Sequence, residues 1–189
     1  MLDIKLTPAK STDAEFGYLE EAMKIHFPDN ERMPISMIKK AVQKDILHIY
    51  FLTDGINNLG YVIIQPLSDS KIVYIHYLAI HENYRGEGYG SIILTMLKKL
   101  MTDCIFLLEV EDPNFANGYE DSKIRKNRLE FYYKNGFNMI NSTSLNLFGA
   151  KMKLMATKRI CVKNWNLFVK KVYFDVSESL LMTVFIHTE

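Results

Sequence analysis

The chain has 189 residues, 48% hydrophobic and 24% charged, with a formal net charge of +1. That balance suits a globular chain of about one domain with enough apolar residues for a sizeable core. It offers no bulk attraction for nucleic acid or an anionic membrane surface, so neither is expected as a partner.

In chain order, residues 2–6 alternate and predict a first strand. Thr12 and Glu15 form a T-x-x-E capping box, and Phe16, Leu19 and Met23 then recur at helical spacing. That helix should close near Phe27-Pro28, because the residue before proline avoids helical backbone. Residues 35–43 predict a second short helix after Pro34. Two β-rich runs, 48–52 and 60–65, flank an Asn- and Gly-rich turn and predict a hairpin. A longer strand follows over 71–80, then a helix over 88–101 with apolar residues at helical spacing, then a strand over 105–110. Residues 123–135 predict a helix that Gly136 closes. Runs 137–141 and 151–156 read as strands, and 164–174 as a last helix. The tail beyond it has no assigned element. The order predicts a mixed α/β sheet with helices on both faces.

Cys104 and Cys161 form no CxxC pair, which fits a reducing cytoplasm. The opening MLDIKLTPAK lacks a basic stretch followed by an apolar one, so no signal peptide is expected. The run LLMTVFI is too short to span a bilayer. The five histidines show no ligand spacing, so no metal is expected.

The central segment reads IHYLAIHENYRGEGYGSIILTMLKKL. A strand runs into a loop with glycines at 86, 88 and 90, and the loop runs into a helix. A helix start leaves N–H groups unpaired and carries partial positive charge, and glycines let a phosphate approach them. Arg85 at the rim adds charge. The lysine of a phosphate-binding GxxxxGK[ST] loop is absent, and GxGxG is not the dinucleotide spacing GxGxxG. A glycine-rich turn without a ligand is the plainer alternative. The strand before it, with Tyr77, Leu78, Ala79 and Ile80, could pair its backbone with an amide-bearing arm such as pantetheine.

Downstream the chain reads RKNRLEFYYKNGF. Together the two segments resemble the GNAT acetyltransferase superfamily. Arg85, Gly88 and Gly90 match its [R/Q]-x-x-G-x-[G/A] motif, and Phe131, Tyr132, Lys134, Gly136 and Phe137 match its F-Y-x-K-x-G-F pattern. The resemblance covers residues 1–157 as the acyltransferase core, leaving 158–189 as a C-terminal helix and tail expected to pack on the same domain. It implies a mixed, largely antiparallel sheet splayed between strands 4 and 5, with acetyl-CoA in the gap. The backbone of Leu78, Ala79 and Ile80 would meet pantetheine. Arg85, Gly86, Glu87, Gly88, Tyr89, Gly90 and Ser91 would surround the pyrophosphate. Arg125 stands where many relatives carry a cofactor-contacting Asn. The segment HFPDNERMP is similar to an FP-x-x-ER stretch on the acceptor side of some bacterial members, which assigns Glu31 and Arg32 to that side.

The implied activity is direct transfer of an acetyl group to a primary amine on a small molecule, a peptide or a protein N-terminus. Tyr132 is the candidate general acid, because a phenol keeps its proton at neutral pH. Candidate bases are His76, Glu109 and Glu111; Glu109 and Glu111, which share a strand face, could also line an acidic acceptor mouth with Asp112 and Glu31, and Arg32 could meet an acceptor carboxylate. The alternative is an acyl-CoA-binding regulatory module without catalysis. A monomer or a homodimer fits either reading.

Overall fold

The computed structural model describes residues 3–67, 70–140, 145–147, 149–178 and 186–188. The chain divides into two compact units. Residues 1–71 and 75–104 form the first, and residues 72–74 and 105–189 the second.

In the first unit, β1 (Lys5–Pro8) pairs antiparallel with β2 (His48–Thr53), which pairs antiparallel with β3 (Asn58–Pro66). Next to β3 lies β4 (Ile72–Ile80), whose last six residues belong to this unit. β1 begins later than the alternation of residues 2–6 suggests. Pairing decides its position: Leu6 sits opposite Leu52, and the ladder runs on to Pro8 opposite Tyr50. Helix α1 (Asp13–His26) starts on the capping box, with the Glu15 N–H on Thr12 Oγ1 at 3.2 Å and the Thr12 N–H on Glu15 Oε2 at 3.2 Å. It ends at Phe27, and it buries Phe16, Leu19, Ala22 and Met23. A 3-10 turn, Asp29–Glu31, leads to α2 (Ile35–Gln43), which buries Ile38 and Ala41. α3 (Tyr89–Leu100) buries Ile93, Leu94 and Leu97. With Tyr61, Val62, Ile63 and Ile64 of β3, all fully buried, these residues make the unit's core.

The second unit holds β5 (Ile105–Glu111), α4 (Tyr119–Lys134), β6 (Asn138–Met139), β7 (Leu145–Leu147), β8 (Ala150–Ala156), α5 (Trp165–Ser177) and β9 (Ile186–Thr188). β8 pairs antiparallel with β5, β6 and β7, and β7 with β9. α4 starts four residues earlier than hydrophobic periodicity predicts. Gly118 turns the chain in, and Asp121 accepts from the Asn117 N–H at 2.7 Å and pairs with Arg125 one turn later. That first turn is held by charge, which an apolar pattern does not record. β7 and β9 are three residues each, too short to show alternation. The predicted strand over 137–141 shrinks to β6, and residue 141 lies outside the described residues. The ladders β1–β2, β2–β3, β5–β8, β6–β8, β7–β8 and β7–β9 are antiparallel, and the fold is the expected mixed α/β type. No helix among the described residues is long and apolar enough to cross a membrane.

Candidate active site

The candidate cofactor segment begins on β4. The His81 N–H donates to the Leu59 carbonyl at 3.0 Å, so the main chain there faces β3. Ala79 faces the same way: a Cβ on Gly60 would lie 2.4 Å from the Ala79 carbonyl oxygen. Main-chain groups of successive strand residues point to alternate edges, so those of Leu78 and Ile80 point away from β3. The Ile80 carbonyl accepts from Arg85 Nε at 3.1 Å.

After a 3-10 turn, Glu82–Tyr84, the chain enters the glycine loop. Gly86 has φ 85° and Gly88 φ 84°, both left-handed backbone that costs a residue with a Cβ roughly 1–2 kcal/mol. Gly88 caps α3 without any side-chain partner for the helix start. The Ser91 and Ile92 N–H groups bond back to the Gly88 carbonyl at 3.0 and 3.2 Å, while the amides before them precede the first helical bond. Nothing lies within 4 Å of a Cβ built on Gly86 or Gly88, and Arg85, Gly86, Glu87 and Gly88 are exposed. Tyr89, Gly90 and Ser91 are half-buried. The result is an open glycine loop at the positive end of a helix, whose charge suits an anion such as a phosphate.

On the other face of β4 the Tyr77 ring is buried, edge-on to Phe27 at 5.0 Å between centroids. Its hydroxyl donates to the Glu31 carbonyl and accepts from the Met33 N–H, each at 2.9 Å. Glu31 and Arg32 therefore sit on a loop tied to β4. The Arg32 guanidinium pairs with Asp29, and both line a cavity of about 170 Å³ with Met23, Lys24, Met33 and Ile35. Beyond Tyr77, the Tyr18 hydroxyl meets His81 Nε2, and His26 Nδ1 lies 3.2 Å from the Tyr61 hydroxyl. The His26 and His81 rings stand 5.0 Å apart. Burial, then the His81 and Arg85 charges, pushes the His26 imidazole down to about 4, and burial and Arg85 lower His81 too.

His76 points opposite to Tyr77, with Nε2 2.8 Å from Gln65 Oε1. Burial pushes its imidazole down to about 3, so it is neutral at pH 7. In the second unit, Glu109 Oε1 accepts from the Tyr173 hydroxyl of α5 at 3.0 Å. Burial lifts its carboxyl to about 7, against the hydrogen bonds of Tyr74 and Tyr173. Glu111 pairs with Arg128 and lies 3.7 Å from Arg125. Asp112 is buried, 3.5 Å from Lys153. Arg125 spends its guanidinium locally, on Asp121 at 2.9 Å and on the Asp112 and Phe115 carbonyls at 3.1 and 3.3 Å. Tyr132 is buried on α4 against Phe131 and Phe137, at 5.0 and 5.5 Å between centroids. Burial raises its phenol to about 12, and the nearby Arg128 charge pulls the other way.

Sequence reasoning passed over Tyr77, Tyr18, His26, His81 and Tyr173. Alternation along β4 places Tyr77 opposite His76, but its partners, 44 and 46 residues away, leave no local mark. The Tyr173–Glu109 pair spans 64 residues and is equally silent.

The sequence profile described as the acetyltransferase (GNAT) family matches residues 15–137. No curated protein is similar enough in sequence to match the chain. Among solved structures, a GNAT-family protein of Bacteroides thetaiotaomicron is 19% identical with TM-score 0.75, covering 93% of this chain and 99% of its own. An aminoglycoside 6'-N-acetyltransferase complexed with coenzyme A is 15% identical with TM-score 0.65, covering 85% and 99%. A spermidine N-acetyltransferase of Vibrio cholerae is 10% identical with TM-score 0.61, covering 81% and 92%. Identities this low speak for the fold alone, whereas the profile spans both the glycine loop and the Tyr132 helix. The chain belongs to the GNAT acetyltransferase family.

Proposed function

We propose that this protein moves the acetyl group of acetyl-CoA directly onto a primary amine. The observation that carries the reading is the open loop from Gly86 to Ser91, which follows a strand whose Leu78 and Ile80 main chain turns away from β3. The loop amides suit a pyrophosphate, and the strand edge suits the amides of pantetheine. Structural neighbours named for aminoglycoside and spermidine N-acetylation support an amine as the acceptor.

Acetyl-CoA brings a thioester already activated toward amines. The chain's residues must align the amine, take its surplus proton and return one to the departing thiolate as the C–N bond forms and the C–S bond breaks. Tyr132 fits the returning role, since its raised phenol holds a proton throughout the neutral range. Among the candidate bases, Glu109 titrates near 7 and so matches the task, with Tyr173 orienting Oε1. His76 near 3 accepts protons poorly, and Glu111 is engaged in an ion pair with Arg128. The same reading places the protein in the cytoplasm, where its thiols Cys104 and Cys161, neither in a disulfide, stay reduced.

The test is release of free thiol from acetyl-CoA across a panel of amino acids, polyamines, aminoglycosides and peptides with free N-termini. Amine-dependent release with at least one member is expected. Tight coenzyme A binding with no amine-dependent release anywhere would favour a regulatory module instead.

A further inference from the structure

The Tyr77 ring fills buried space beside Phe27, and a phenylalanine would fill it equally well. The hydroxyl has a separate use. It donates to the Glu31 carbonyl and accepts from the Met33 N–H at 2.9 Å each. Both partners are main-chain groups, and they bracket Arg32. The bonds therefore fix the path of the loop whatever its side chains do. They also set one wall of the cavity of about 170 Å³ that Asp29, Arg32 and Met33 line. The tyrosine's immediate neighbour, Leu78, turns its main chain to the edge of β4 that faces away from β3. One dipeptide thus carries a cofactor-side edge and an acceptor-side clamp.

We infer that Tyr77 is a positioning residue that holds the loop of residues 27–33 in register with the cofactor strand, so that the amine meets a preset wall. This rests on the acetyl-transfer reading above. Removing the hydroxyl takes away the bonds that the Glu31 carbonyl and the Met33 N–H make to Tyr77, and the loop gains freedom that amine binding must then restrict. The uniform-binding contribution of the amine falls, whereas the chemistry and the cofactor loop at 86–91 are untouched.

The experiment compares the intact protein with Tyr77→Phe. Amide hydrogen exchange should show Met33 losing protection on the order of tenfold, with α3 and β2 unchanged. Steady-state kinetics with the best amine of the panel should show KM for the amine raised on the order of tenfold, kcat within about twofold, and the dissociation constant for coenzyme A unchanged. An unchanged amine KM, or an equal loss in amine and coenzyme A binding, overturns the inference and leaves the acetyl-transfer reading standing. An unsubstituted protein with no turnover on any amine overturns both.

Discussion

Tyr132 and Gly60 show how much a single position can determine. The Tyr132 phenol, raised to about 12 by burial, stays protonated at every pH where an amine is acetylated. If it returns the proton to the thiolate, Tyr132→Phe should lower kcat on the order of 10²–10⁴-fold while changing coenzyme A affinity little. Stopped-flow turnover beside calorimetric binding separates the two, and an unchanged kcat removes Tyr132 from the chemistry. Gly60 acts through space alone. A methyl there would lie 2.4 Å from the Ala79 carbonyl oxygen and 3.1 Å from Ile80 Cα, both backbone atoms that cannot swing aside. Gly60→Ala should cost about 1–3 kcal/mol of stability, read as a lower denaturant midpoint at unchanged slope.

At the scale of elements, α1 gives the cleanest account. Its capping box is visible in the sequence and intact in the fold. Thr12→Ala should cost about 1 kcal/mol, measurable by chemical unfolding, because the Glu15 N–H at the helix start loses its side-chain acceptor. Elements of this kind were legible: α2 after Pro34, α3 from its apolar spacing, and the β2–β3 hairpin from its turn. The start of α4 was not, because charge holds its first turn. β7 and β9 were not, because partners far along the chain define such short strands. The candidate site divides likewise. The glycine loop announces itself, since left-handed backbone demands a recognisable residue. The Tyr77 clamp and the Tyr173–Glu109 pair do not, since each needs the chain already folded to bring distant residues together. Arg125 could be named from its position, yet its engagement with Asp121 and two carbonyls could not.

At the scale of the whole molecule, buried titratable groups set the response to pH. His26 and His76 have folded values near 4 and 3, below the ordinary 6.5, so the unfolded chain binds their protons first. Their share of stability is complete above about 6.5 and is lost as pH falls from there toward 4 and 3. His26 is half-exposed, so solvent reduces its part. Glu109 runs the other way. Its folded value near 7 lies above the ordinary 4.5, so the folded state holds that proton more firmly, and stability falls as pH rises from about 4.5 to 7. Glu109→Gln, which imitates the neutral carboxyl, should therefore stabilise the protein at pH 8, by on the order of 2 kcal/mol, and change it little at pH 5. Thermal melts at the two pH values check this, and an equal shift at both would contradict the assignment.

The close approach at Gly60 also bears on alignments the chain must avoid. Side chains alternate along a strand, so sliding β3 by one residue against β4 would bring the Cβ of Leu59 or Tyr61 to the place where only a hydrogen fits beside Ala79. The slipped pairing is rejected by steric overlap, at no cost to the correct one. One missing methyl group thus discriminates between folding outcomes.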